Sequence, residues 1–136
     1  MKKTFKHLGI ITLTAVIIFG SAVNASASDF DYNQMPATNW PSDSVWGQYD
    51  LTGLRQPSGT TVHGGMFGSH FIIFLSNADK AAYDNLSAQI RRINGFTMIQ
   101  EETEDGVTSI AFMSPSFKMV AVSYSISEKV VAIQAM

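Results

Sequence analysis

The sequence predicts an α+β fold: one helix packed on an antiparallel meander sheet of about five to six strands, preceded by an irregular aromatic arm. The prediction depends on two observations. One amphipathic stretch with helix-capping residues follows two apolar runs, and a series of short apolar segments separated by turn residues comes after it. Because short turns join antiparallel neighbours, these segments should form a meander, and the helix should cover one of its faces.

The first 27 residues have the pattern of a cleavable export signal. Lysines at positions 2, 3 and 6 precede an uncharged apolar run over residues 8–20, which is shorter than the roughly 20 residues that span a bilayer. Small residues then lead to an expected cut between Ala27 and Ser28, with a cut after Ala25 as the alternative. We therefore expect a signal over residues 1–27, an irregular arm over 28–58 and an α+β domain over 59–136.

Charge and cysteine content limit the possible partners. After removal of the signal, six basic and eleven acidic residues remain, which gives the processed chain a net charge of −5. Such a chain should not attract nucleic acid or an anionic membrane surface. It contains no cysteine, so disulfides, thiol catalysis and the cysteine-linked lipid anchor of bacterial lipoproteins are excluded. We expect a secreted or extracytoplasmic protein with no stable membrane anchor.

The predicted arm is rich in proline, polar residues and isolated aromatics. Trp40, Trp46 and Tyr49 follow no period of 2 or 3.6, so they either fasten the arm to the domain or form an exposed binding platform. The glycine-rich segment 64–68 is expected to be a tight hairpin between strands at 60–63 and 69–75, with Phe67 exposed. These four aromatics are the predicted interaction surface.

The helix is predicted to begin after Ser76, with Asp79 completing a capping box, and to end at Asn94-Gly95. Between these caps, a single apolar stripe at spacings of three and four is formed by Tyr83, Leu86, Ile90 and Ile93. The meander strands are then expected at 96–101, 108–112, 117–124 and 130–134, separated by turn residues.

No motif in the sequence specifies a cofactor, a metal or a catalytic group. His63 and His70 are the only histidines after the signal and lack metal-ligand spacing, so a turn residue and a strand residue are the simpler interpretation. The methionines form no cluster in the sequence and are interpreted as core residues. The glycine-rich segment lacks the lysine of a phosphate loop, and no Gly-x-Ser-x-Gly elbow occurs.

Several motifs together resemble a family of small exported bacterial domains of unknown function, many of them lipoproteins. The resemblance covers residues 40–136 and is carried by Trp40-Pro41, Pro57-Ser58-Gly59, Tyr83-Asp84-Asn85-Leu86 and Asn94-Gly95-Phe96. This chain departs from the lipoprotein members because it has no anchoring cysteine. The resemblance implies the fold and leaves the function open.

Three functions remain after this reasoning. The first is an exported, non-catalytic module that binds a protein, a peptide or an envelope component. The second is an inhibitor of a hydrolase, since a helix on a meander resembles the cystatin-like element order, although the Gln-x-Val-x-Gly loop and the Pro-Trp pair of cystatins are absent. The third is a small hydrolase that uses His63 or His70.

Overall fold

The computed structural model describes residues 36–67, 70–93, 95–104 and 106–136. The predicted signal and its cleavage site at Ala27 and Ser28 lie outside these residues. The elements, in chain order, are β1 (Ala37–Thr38), α1 (Asp43–Trp46) continuing into a 3₁₀ turn (Gly47–Tyr49), β2 (Thr61–Phe67), β3 (His70–Ser76), α2 (Lys80–Arg92), β4 (Thr97–Glu104), β5 (Val107–Met113), β6 (Met119–Ser125) and β7 (Val130–Ala135).

The strands form one seven-stranded sheet in the order β1-β2-β3-β7-β6-β5-β4, and all neighbours are antiparallel. Helix α2 connects β3 to β4 at the far edge, and the chain then returns strand by strand until β7 pairs with β3. The α+β prediction is therefore confirmed in outline. The sheet has more strands than the five to six predicted, because β1 in the arm adds a short edge pair with β2.

Helix α2 begins later than the sequence indicated. Its N-cap is Asp79, whose side chain accepts a hydrogen bond from the Ala82 amide at 3.1 Å, whereas Ser76 is the last residue of β3. Aspartate is as good an N-cap as serine, and strand pairing holds Ser76 in an extended conformation. The helix ends at Arg92, and Gly95 adopts a left-handed conformation with φ of 70°.

The glycine-rich segment is a strand over most of its length, so its interpretation as a hairpin loop is wrong. Gly64 pairs with Ile73 inside the β2–β3 ladder. A Cβ on Gly64 would lie 2.6 Å from the carbonyl oxygen of Ile72, closer than backbone atoms tolerate. Glycine at this position therefore permits close packing of the two strands.

One face of the sheet carries the main core. The buried residues of α2, Tyr83, Leu86 and Ile90, pack against the apolar side chains of the central strands. Trp46, Leu51 and Leu54 of the arm belong to the same cluster, so the arm and α2 together form the second layer of the fold. The opposite face is also buried: strand β3 contributes the large side chains of Ile72 and Phe74, and the central strands contribute mostly small ones, among them Ala111, Ala121, Ala132, Ser109 and Ser123.

Candidate functional site

The aromatic residues of the arm are mainly structural. Trp46 is 0% exposed and packs edge-on against Phe71 of β3, with ring centroids 5.4 Å apart. Trp40 packs against Trp46 at 5.2 Å, and its indole N–H donates to the Leu54 carbonyl at 2.9 Å. Tyr49 stacks on the same Phe71 ring at 5.7 Å. Aromatic pairs in these geometries add to burial energy, so they hold the arm against the sheet.

The predicted interaction surface is therefore not a single exposed platform among the described residues. Trp46 lies in the core, whereas Trp40 and Tyr49 are partly exposed at its margin. The side chain of Phe67 lies outside the described part of the structure. The predicted surface therefore loses Trp46, keeps Trp40 and Tyr49 as partly exposed residues, and stays a prediction for Phe67.

The arm also closes one flank of α2. The Gln89 side chain clamps the main chain of Arg55: its Nε2 donates to the Arg55 carbonyl at 2.9 Å, and its Oε1 accepts from the Arg55 amide at 2.8 Å. Five residues earlier in the arm, the hydroxyls of Ser114 and Ser116 donate to Asp50 Oδ2, the former at 2.7 Å. The arm is thus fixed to both the helix and the β5–β6 turn.

The other flank of α2 is open. A cavity of about 240 Å³ lies between this flank and the outer strands of the sheet. The cavity is lined by Tyr83, Asp84, Ser87, Ala88 and Arg91 of α2, Glu101 of β4 and Ile110 of β5. We call this cavity the helix–edge groove, because β4 is an edge strand of the sheet.

Two hydroxyls of the helix–edge groove are buried without a hydrogen-bond partner among the described residues. They are Tyr83 Oη and Ser87 Oγ, on residues that are 5% and 7% exposed. The two hydroxyls lie close enough for Ser87 to lower the pKa of Tyr83 by side-chain hydrogen bonding, but neither makes a hydrogen bond of full geometry with a described residue. A buried hydroxyl left unpaired costs about 1–3 kcal/mol, so the groove retains two polar groups at the expense of stability.

Charged side chains surround these hydroxyls. Burial, followed by the negative charges of Glu101 and Asp84, raises the pKa of Tyr83 to about 12. The phenol is therefore neutral at physiological pH, which makes it a hydrogen-bonding group and a poor nucleophile or base. Arg91 extends over the ring of Phe112, 5.8 Å from its centroid, and Asp84 pairs with the exposed Lys80 at 3.0 Å.

Strand β4 borders the groove and pairs on one side only. Of the described strands, none lies beyond it. A β-bulge at Ile99 interrupts its pairing with β5, and Met98 and Ile99 are 45% and 43% exposed there. After the bulge, residues 100–104 form a regular run that contains Glu101, Glu102 and Glu104 and no basic residue.

The histidine and metal interpretations have no further support in the described geometry. The His63 ring lies 3.1 Å from the Ser76 hydroxyl, across the β2–β3 pair. Within the described ranges, no three histidine, aspartate or glutamate side chains are close enough together to hold a metal ion. The side chain of His70 is outside the description. No described helix has the length and apolar character needed to cross a bilayer.

Burial of Tyr83 is the feature of the helix–edge groove that the sequence predicts; the cavity itself is not predicted. In the sequence alone, the acidic run over residues 101–105 indicates no more than a solvated hairpin end. Comparison of the chain with family models, curated proteins and solved structures finds no match.

Proposed function

We propose that this chain is an exported, non-catalytic binding module and that the helix–edge groove is its ligand site. The observation that carries the proposal is a pair of buried hydroxyls beside an open cavity, Tyr83 Oη and Ser87 Oγ, for which the described part of the chain provides no hydrogen-bond partner. Native proteins hydrogen-bond nearly all their buried polar groups, so each exception needs an explanation, and the binding of a ligand is one such explanation. A ligand that pairs with both hydroxyls would recover the cost of burying them.

The same geometry argues for binding rather than catalysis. Tyr83 has a raised pKa, so it does not supply the anion that an attack or a proton abstraction would need. Arg91, Glu101 and Asp84 provide charges that orient a ligand. Export follows from the lysine-rich apolar signal predicted over residues 1–27 and the expected cut between Ala27 and Ser28.

The test fills the groove and leaves the fold intact. Ala88→Arg places a long side chain in the cavity, whereas Ala81→Arg makes the same change on an exposed position two turns away, about 10 Å along the helix. The secreted protein should capture a component of the producing cell's envelope or medium, and capture should survive Ala81→Arg and be lost with Ala88→Arg. Equal capture by both variants, with both folded by circular dichroism, would place the ligand elsewhere.

A second candidate function, inhibition of a hydrolase, is favoured by the β5–β6 turn. Phe117 is 78% exposed and has a φ of 67°, a conformation that is strained for a bulky residue. Ser114, whose hydroxyl accepts from the amides of Ser116 and Lys118 and donates to Asp50, braces this turn. A rigid turn that presents one aromatic suits insertion into a protease cleft.

Inhibition is tested directly with Phe117→Ala against the proteases that the organism secretes. The matched control is Ile126→Ala, because Ile126 is a 59% exposed apolar residue on the β6–β7 turn. If the turn inhibits, Phe117→Ala alone relieves the inhibition. Unchanged protease activity in the presence of the unmodified protein would remove this candidate.

A further inference from the structure

The groove and the neighbouring strand edge together indicate what kind of ligand would fit. We propose that the helix–edge groove binds an extended, lysine- or arginine-bearing polypeptide that adds to β4 as an eighth strand. One of its basic side chains enters the cavity beside Glu101, between Tyr83 and Ser87. This inference rests on the proposed function.

The free edge of β4 provides the backbone part of this site. Glu104 and Val107 close the β4–β5 hairpin around a two-residue turn, so they form its terminal hydrogen-bonded pair. Because hydrogen-bonded and non-hydrogen-bonded pairs alternate, the main-chain groups of Thr103 and Glu101 point away from β5. The short contact between the hydroxyls of Thr103 and Thr108, 3.1 Å, agrees with a non-hydrogen-bonded pair. An added strand would pair with these outward groups.

Strand geometry then directs a ligand side chain into the groove. Glu101 pairs with Ile110, and both line the cavity, so this row of the sheet faces the flank of α2. A new strand would lie about 4.8 Å outside β4. Its residue opposite Glu101 would have its Cβ about 4.5–5.5 Å from that of Glu101, on the same face. A long side chain at that position reaches the cavity.

Charge selects a basic side chain over an acidic one. Of the described side chains that line the cavity, Glu101 and Asp84 are acidic and Arg91 is basic, so the lining carries a net negative charge. Arg91 keeps its charge at the cavity but is engaged with the ring of Phe112, 5.8 Å from its centroid. Lys80 belongs to an exposed ion pair with Asp84, of the kind that contributes little energy. An incoming ammonium or guanidinium replaces Lys80 beside Asp84 at small cost.

The buried hydroxyls fit the same ligand chemistry. An ammonium or a guanidinium group carries only donors, and the oxygens of Tyr83 and Ser87 are free to accept within the described structure. An acidic side chain would instead face Glu101 and Asp84, which already raise the pKa of Tyr83 by their negative charge. The bulge at Ile99 limits the added strand to the five residues opposite 100–104.

A β-bulge and charged residues on an edge strand also prevent a sheet from pairing with other copies of the chain. The experiment must therefore show whether the β4 edge binds a peptide or only resists such pairing. The probes are two nonapeptides, one alternating lysine with valine and one alternating glutamate with valine. A third has the lysine–valine composition with prolines that prevent a strand. Binding is followed by amide chemical shifts of the ¹⁵N-labelled secreted protein at 0.15 M salt.

The expected result is binding of the first peptide alone, with shift changes confined to residues 83–91 and 100–104. Glu101→Lys should weaken it about tenfold or more through charge reversal at a desolvated contact. Thr103→Pro should weaken binding, because it removes an amide that points away from β5. The variant should still fold, since an edge strand tolerates proline where the nitrogen faces solvent. Arg92→Lys, on the exposed part of the helix, is the control and should bind like the unmodified protein.

Three results would overturn the inference: equal binding of the proline-containing peptide, preference for the glutamate peptide, or shift changes centred on the arm. Failure here is distinguishable from failure of the proposed function. If capture from the envelope is still blocked by Ala88→Arg but no basic peptide binds, the groove is a site for another ligand. If Ala88→Arg has no effect on capture and no peptide binds, both proposals fail.

Discussion

Replacing Gln89 with alanine tests whether the arm contributes to stability through its clamp on α2. Gln89 lies outside the apolar stripe of the helix, so the sequence pattern alone predicts a change within about 0.5 kcal/mol. The structure instead gives it two hydrogen bonds to the main chain of Arg55, at 2.8 and 2.9 Å. Each such bond contributes about 0.5–1.5 kcal/mol net, and water can partly replace an exposed one, so the expected loss is about 1–2 kcal/mol.

Thermal unfolding by circular dichroism measures this loss. For a domain of this size, 1 kcal/mol corresponds to about 4–8 °C in Tm, so Gln89→Ala should lower Tm by at least about 4 °C. Asn85→Ala is the control, because within the described structure the Asn85 side chain bonds to the Gln89 side chain and to no main-chain group, so its replacement should change Tm little. Acrylamide should also quench the margin residue Trp40 more readily once the arm loosens. A Tm equal to that of the unmodified protein would show that the clamp contributes nothing.

The remaining predictions concern single residues. Leu86→Ala should cost about 2–5 kcal/mol in urea unfolding, because Leu86 is fully buried in the core. Ser87→Ala should be neutral or stabilising, since it removes a buried hydroxyl without a described partner. Phe117→Gly should unfold at a temperature equal to or above that of the unmodified protein, because glycine adopts a φ of 67° without strain. Hydrogen bonds from Ser116 and Ser114 lower the pKa of Asp50. The stabilisation by ionised Asp50 is therefore complete above the ordinary carboxyl pKa and is lost as the pH falls through the lowered pKa. Ser116→Ala should raise the pKa of Asp50 in an NMR titration.

Much of the fold could be predicted because its elements depend on local sequence. Gly106 has a φ of 79° and lies between β4 and β5, where the sequence predicts turn residues between two strands. The apolar stripe of α2 is buried at Tyr83, Leu86 and Ile90, as its spacing requires. The helix start was misplaced because Ser76 and Asp79 both have capping chemistry, and pairing of β3 with β2 decides between them.

The candidate site could not be predicted, since it depends on which strands lie at the edge. Short connections show that β4 and β5 are neighbours, but not that α2 crosses the sheet to place β4 outermost. Without that order, Glu101 is one charge in an acidic run, and Ser87 is a polar residue on a helix. The structure brings both residues to one cavity.

The composition of the open flank argues that the helix–edge groove is maintained for a purpose other than stability. The sheet beneath it offers Ile110 as an apolar floor, and a larger apolar residue at Ala88 would bury more surface against it. The chain instead has a small residue there, and beside it Ser87, whose hydroxyl has no partner among the residues that the structure describes. Gln89, on the closed flank, shows that the same helix satisfies its polar groups where only stability is at stake. Departures from full packing and from hydrogen bonding of buried polar groups are expected at functional sites. Such departures occur on the open flank of α2 and not at Gln89 on the closed flank, which favours the open flank as the binding side.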